Sequence, residues 1–219
     1  MIGEKVKELL SEVPENVTIV AAIKTRTVDE VNECIEAGIN NVGENYMQEA
    51  VLKNLAIGNK VKWHLIGPLQ THKAKAAAKI FDMIETIDCF HTAEVLNKHC
   101  RNIGKVMPVL LEINSAREEQ KSGYMPEILP DELEKLAGLE NIRVQGLMTM
   151  GPQTEDGEVL RPYFRNTKKL FDEIKKASIS GIEMKYLSMG MTASYREAIE
   201  EGANIVRIGS LIFGPRNYH

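Results

Sequence analysis

The sequence predicts an α/β chain folded as a single (β/α)8 barrel over residues 1–219, with an extra helix at the N-terminus. Three observations lead there. Eight short apolar or β-branched segments alternate with stretches whose apolar residues recur at helical spacing. No two strand segments are joined by an Asn-Gly or Asp-Gly hairpin turn, so helical crossovers and a parallel sheet are expected. No Pro/Gly/Ser-rich linker divides the chain, so it reads as one domain. An open doubly wound sheet is the alternative arrangement of the same units.

The elements follow in order. Ile2, Val6, Leu9 and Leu10 share one helical face and predict the first helix. Thr18 to Ile23 is uncharged, apolar and β-branched, as a strand buried on both faces should be, and Lys24 ends it. Val28, Val31 and Ile35 predict a helix closed by Gly38. A short strand at Asn41-Val42-Gly43 ends in Glu44-Asn45, and a helix runs from Tyr46 to Leu55. Val61–Gly67 is the third strand, Lys73–Ile80 a helix, Met83–Ile87 the fourth strand, and His91–Asn102 a helix. Lys105–Asn114 is the fifth strand, in which Pro108 demands a strand start or an irregularity. A long loop from Ile113 to Pro126 precedes a partly helical stretch, Leu129–Leu139, started by Pro130-Asp131. Ile142–Met150 is the sixth strand. The helix Val159–Ala177 should bury Leu160, Phe164, Leu170, Phe171 and Ile174. Lys185–Gly190 is the seventh strand, Ser194–Glu201 a helix capped by Gly202, and Ile205–Gly209 the eighth strand.

Composition bounds the function. The chain is 43% hydrophobic and 26% charged with net charge −4, ordinary for a globular domain. It has no basic block, so a phosphate-neutralising nucleic-acid face is not indicated. Cys34, Cys89 and Cys100 form no CxxC pair, the histidines show no paired ligand spacing, and neither a disulfide framework nor a metal site is expected. The N-terminal stretch alternates charged and apolar residues, unlike a signal peptide or membrane span, so a cytoplasmic protein is expected. No long exposed apolar segment is evident, which favours a monomer.

In such a barrel the reactive groups stand at the C-terminal ends of the strands. Strand one brings Lys24, strand two Glu44-Asn45, strand three His64, strand seven Ser188-Met189-Gly190-Met191-Thr192, and strand eight Arg207, Gly209 and Ser210. Barrels often bind phosphate with the loops after strands seven and eight, and SMGMT and IGS supply glycines and hydroxyls there, although plain turn chemistry would use the same residues. Alternation puts Lys24 with Ala22 and Val20, and Arg207 with Gly209, on the inner face. A buried arginine must find acceptors, either a bound anion or an internal glutamate such as Glu112. An amine at the end of an apolar strand can form a Schiff base with an aldehyde, while the plainer reading leaves Lys24 a solvated loop lysine. His64, beside Trp63, reads as structural, and Met189 and Met191 as packing. A lysine amine, an arginine for a ring nitrogen and a phosphate cradle together describe a pyridoxal phosphate site.

These motifs are AIKTRTVDE around Lys24, VGENYMQEA from Val42, WHLIGPLQTHKAK from Trp63, KSG at Lys121, GLMTM from Gly146, and LSMGMTASYREAIEEGANIVRIGSLIFGPR from Leu187 to Arg216. Together and in this order they resemble the pyridoxal phosphate homeostasis protein family, whose fold is that of the alanine racemase N-terminal barrel domain. The resemblance implies a Schiff base between Lys24 and pyridoxal 5′-phosphate, with Asn45 near the cofactor. It implies a phosphate end lined by Ser188, Gly190, Met191 and Thr192 and completed by Gly209 and Ser210, and Arg207 at the pyridine nitrogen. Lys121 matches a family lysine linked to release or exchange of the cofactor. Ile23, Thr27, Pro68 and His72 depart from the family's usual residues, which leaves the Pro68–His72 loop without an assigned role.

Three functions compete. The first is a protein that holds pyridoxal phosphate and hands it on, with apo-enzymes as candidate recipients, without turnover; with His219 so close to strand eight, no second domain is expected to supply a base opposite Lys24. The second is a pyridoxal phosphate-dependent amino-acid racemase of low activity, with Lys24 as its base. The third is an aldolase that forms a Schiff base with a sugar phosphate.

Overall fold

The computed structural model describes residues 1–154 and 156–215. Its strands form a closed barrel in sequence order, β1 (Thr18–Ala22), β2 (Asn41–Glu44), β3 (Lys62–Leu65), β4 (Met83–Ile87), β5 (Met107–Glu112), β6 (Ile142–Met148), β7 (Ile182–Met191) and β8 (Ile205–Ile208). Every neighbouring pair is parallel, and β1 closes the ring on β8 with Thr18 opposite Ile205 and Ala21 opposite Ile208. The open-sheet alternative is thereby excluded. The helices are α1 (Ile2–Glu12), α2 (Val28–Glu36), α3 (Met47–Ile57), α4 (Ala74–Ile80), α5 (Phe90–Arg101), α6 (Leu129–Ala137), α7 (Gly157–Ala177), α8 (Tyr195–Glu200) and α9 (Ser210–Phe213). Single 3-10 turns occupy Gly58–Lys60 and Thr71–Lys73.

Strand alternation sorts the side chains into two layers. Val20, Ile66, Met83, Leu110, Met148 and Ile205 fill the barrel. Ala21, Ile23, Val42, Trp63, Val206 and Ile208 pack outward beneath the helices. The inward parity expected for Val20 and Arg207 and the outward parity expected for Ile23 and Val206 are therefore both found.

Several elements differ from expectation for local reasons. Leu10 is 41% exposed, so α1 is held by Val6 and Leu9 instead. β5 starts at Met107 because Lys105 is used elsewhere: its Nζ donates to the carbonyls of Ala78 and Phe81 and closes the end of α4. Pro108 then takes the second strand position, opposite Arg143. On α7, Thr167 is buried and Leu170 only partly so, since Leu160, Phe164, Thr167, Phe171 and Ile174 follow one helical stripe. The Thr167 hydroxyl is satisfied by the Tyr163 carbonyl at 2.8 Å. α9, four residues long, carries no periodic signal to read. Tyr46, Val51, Leu52 and Leu55 leave an exposed apolar stripe on and beside α3, so the ground for expecting a monomer is not met. Arg216, the end of the last motif, lies outside the described residues.

Thr27, one of the residues that depart from the family's usual pattern, is the N-cap of α2. Its hydroxyl accepts from the Glu30 amide at 3.2 Å, and the Glu30 carboxylate accepts from the Thr27 amide at 2.8 Å. Thr27→Ala should cost about 1 kcal/mol of stability, read as a lower urea midpoint with an unchanged slope.

Candidate functional site

A cleft of about 450 Å³ opens at the C-terminal end of the barrel, and Ala22, Lys24, Asn45, Ile66, Met150, Thr154, Met191, Thr192, Ala193, Ser194, Arg207, Gly209 and Ser210 line it. Of the residues expected at the site, Lys24, Asn45, Met191, Thr192, Arg207, Gly209 and Ser210 meet there. A second cleft of about 310 Å³ adjoins it and shares Asn45, Ile66 and Met150. Lys121 lines this neighbour, its Nζ donating to Glu118 Oε1 at 2.7 Å and to the Gly151 carbonyl at 3.1 Å.

At the β7–β8 side, the amides of Gly209 and Leu211 both point at Thr192 Oγ1, at 3.3 and 3.4 Å. Two backbone donors thus meet the Thr192 hydroxyl at one end of the cleft, which Ser210 also lines, a setting that suits an anion. Met191 is 40% exposed at the rim and is not a packing residue, whereas Met189 is fully buried in the outer layer. Across the cleft, Asn45 Oδ1 is buried without a hydrogen-bond partner. A buried acceptor one bond short implies a donor still to come, from a ligand or a water. Gly67 supports Asn45 from below: a Cβ there would lie 2.4 Å from the Asn45 carbonyl.

Two expected residues are not at the cleft surface. Gly190 has φ +85°, and a Cβ on it would lie 2.5 Å from Ala198 Cβ, so glycine is needed for the bend against α8. Ser188 lies one layer deeper because it is mid-strand, opposite both Met148 and Ile205. Its hydroxyl donates to Glu85 Oε2 at 2.6 Å and accepts from Arg207 Nη1 at 2.6 Å.

Sequence reasoning missed Glu85. Fully buried on β4, it also meets His64 Nδ1 at 2.7 Å through its other oxygen. His64, Glu85, Ser188 and Arg207 therefore form one chain of contacts through the barrel, and Arg207 Nη2 continues it to the Thr149 carbonyl at 2.9 Å. The internal acid beside Arg207 is Glu85, 4.0 Å away, rather than Glu112. Burial works to raise the Glu85 carboxyl, but its bond to His64, the charges of His64 and Arg207 and the Ser188 hydroxyl hold it below the ordinary value. Burial also lowers the Arg207 value, opposed by Glu85 and Glu112. His64 opens onto a cavity lined by strand starts (Thr18, Asn41, Lys62, Met83 and Ile205), at the opposite end of the barrel from Lys24. It is placed as a structural partner of Glu85, not at the cleft.

Among the described residues no cluster of His, Cys, Asp or Glu could hold a metal, and no helix is long and apolar enough to cross a membrane. Cys34 and Cys100 are buried and Cys89 is exposed, all unpaired as thiols.

Comparison with known proteins agrees with this fold. Residues 2–217 match the family model for the alanine racemase N-terminal domain. A pyridoxal phosphate homeostasis protein of Aquifex aeolicus is 38% identical over 201 residues, covering 91% of this chain and 87% of the relative. The solved structure of PipY from Synechococcus elongatus with pyridoxal phosphate bound superposes with a TM-score of 0.90 at 29% identity, covering 98% of this chain and all of that one. An alanine racemase of Clostridium difficile shares the fold alone, at 18% identity and a TM-score of 0.80, with 99% of this chain matching 59% of the racemase.

Proposed function

The chain belongs to the alanine racemase N-terminal domain family and, within it, to the pyridoxal phosphate homeostasis proteins, and from that premise we propose that it binds pyridoxal 5′-phosphate on Lys24 and serves the intracellular supply of that cofactor. The observation that carries the proposal is the meeting of Lys24, Asn45, Arg207 and the Thr192–Gly209–Ser210 donors in one cleft.

The residues present fit the group. Lys24 supplies an amine for a Schiff base with the aldehyde, a condensation that releases one water. Thr192, Ser210 and the amides of Gly209 and Leu211 supply donors for the phosphate. Asn45 offers the acceptor that has no partner in the structure. Arg207 places a permanent cation on the ring-nitrogen side. It can donate to that nitrogen but does not accept its proton, so the bound ring is a weaker electron sink than one facing a carboxylate. That tuning favours holding the cofactor over turning substrates over. Lys24 is also the only amine among the described residues lining the cleft, whereas racemisation needs bases on two faces. Release to apo-enzymes and a cytoplasmic location belong to the same proposal.

The test is the visible absorbance of the purified protein with added pyridoxal phosphate. Wild type should show an imine band that Lys24→Ala lacks. No band in either protein would overturn the proposal. Interconversion of D- and L-amino acids well above that of free cofactor, and lost in Lys24→Ala, would replace the carrier with a racemase.

A further inference from the structure

Outside the barrel wall, directly behind Lys24, stands a cluster of charges for which the cleft itself has no use. Lys53 of α3 is 5% exposed. Its Nζ donates to Glu44 Oε2 at 2.8 Å, to Glu49 Oε2 at 2.6 Å and to the backbone carbonyl of Ile23 at 2.7 Å. Glu49 Oε2 in turn accepts from the backbone amide of Thr25 at 2.8 Å. The cluster thus grips the main chain on both sides of Lys24, at the carbonyl before it and at the amide after it. Glu44 extends the grip to the second strand end, where its Oε1 accepts from the amides of Asn45 and Tyr46 at 2.8 and 3.2 Å.

The backbone being gripped is strained. Thr25 has φ +62°, in the left-handed region that β-branched residues avoid. Such a conformation persists where its surroundings over-determine it. The surroundings here are the Glu49 bond at Thr25, the Arg26 amide bonded to the Ile23 carbonyl at 3.1 Å, and the Arg26 guanidinium on the Gly214 carbonyl at 2.7 Å. A buried lysine with two carboxylates is also an expensive way to attach a helix to a sheet, because hydrophobic residues of similar volume would commonly do as well or better. The cost is understandable if the cluster fixes one backbone geometry.

We propose that Lys53, Glu49 and Glu44 are positioning residues: from behind the wall they set the Ile23–Lys24–Thr25 main chain so that the Lys24 amine is presented to an aldehyde ligand in the cleft. This rests on the reading of Lys24 as the Schiff-base lysine. None of the three touches the ligand. Their effect is on how readily the amine reaches the carbonyl carbon, and the binding of the phosphate end, built from Thr192, Gly209 and Ser210 on the far side of the cleft, does not depend on them.

Two ligands separate positioning from simple structural support. Pyridoxal 5′-phosphate has the aldehyde; pyridoxine 5′-phosphate carries an alcohol in its place and cannot form an imine. In Lys53→Met and in the milder Glu49→Ala, imine formation with the aldehyde should slow by roughly ten- to a hundredfold, as misplacement of a reacting group by about 1 Å does. Affinity for the alcohol should stay within about twofold of wild type, and Lys53→Arg should recover part of the rate by restoring the charge. Equal losses for both ligands would show the cluster to be structural support only, and unchanged imine formation in both variants would show no role; either overturns the proposal. Should Lys53→Met fail to fold, Glu49→Ala decides alone, since it removes the acceptor of the Thr25 amide while leaving the Lys53–Glu44 pair. Failure of the underlying reading looks different: there wild type itself forms no imine, or Lys24→Ala still does.

Discussion

Arg207→Met should lower the unfolding free energy of the ligand-free protein by about 3–5 kcal/mol, the usual cost of stripping a buried charge of its partner. The guanidinium is 4% exposed and the acid left behind, Glu85, is wholly buried. Ser188 would lose the donor at its oxygen and Thr149 the donor at its carbonyl, both well inside the barrel. Part of the loss should return in Glu85→Gln/Arg207→Met, because the second change removes the stranded charge. Urea unfolding at pH 7 measures all four proteins of the cycle. A single Arg207→Met variant within about 1 kcal/mol of wild type would mean that Glu85 draws its stabilisation from His64 and Ser188 without the arginine.

Glu112→Gln should make the ligand-free protein more stable above pH 7, by about 1–3 kcal/mol, and leave it nearly unchanged near pH 4.5. Burial, with Asp88 nearby and only partly offset by Arg207, pushes the Glu112 carboxyl up to about 7. An unfolded chain releases that proton near 4.5. Between those two values the folded state holds a proton that the unfolded state has lost. Stability conferred at low pH is therefore withdrawn as pH rises from about 4.5 through about 7. Glutamine keeps the shape and cannot ionise, so the difference between variant and wild type should grow across that window. A flat difference from pH 4.5 to 8 would contradict the assignment. The gain is bounded because Arg207 loses an attractive neighbour above pH 7.

Most of the barrel was legible because its code is short-range. Apolar β-branched runs and helical stripes are both local patterns, and strand parity alone oriented Lys24 and Arg207. The internal network was only half legible, although the signal for its other half was present. Arg207 within I-V-R-I-G marks a charge inside a buried strand; Glu85 within M-I-E-T-I is the same mark with opposite sign, and the two are partners. The resemblance places Ser188 at the phosphate end, and a seventh strand ending at Gly190 is compatible with that. In the structure it runs to Met191 with a register shift against β8, which sets Ser188 deeper. Lys53 was illegible for a different reason. A lysine on a helix defaults to solvent, and only the fold reveals that Ile23, thirty positions earlier, needs a donor there.

The ring of strands has a consequence for the chain as it is being made. β1, which delivers Lys24, hydrogen-bonds to β8, which delivers Arg207 and the Gly209–Ser210 donors. The Arg26 side chain that braces the lysine turn reaches 188 positions ahead to Gly214. A nascent chain emerging from the ribosome therefore carries Lys24 from the outset, but has no finished cleft around it until the last strand docks. Contacts so distant in sequence form late and slowly. A closed cleft is thereby a mark of completed synthesis, one that a chain lacking β8 does not carry.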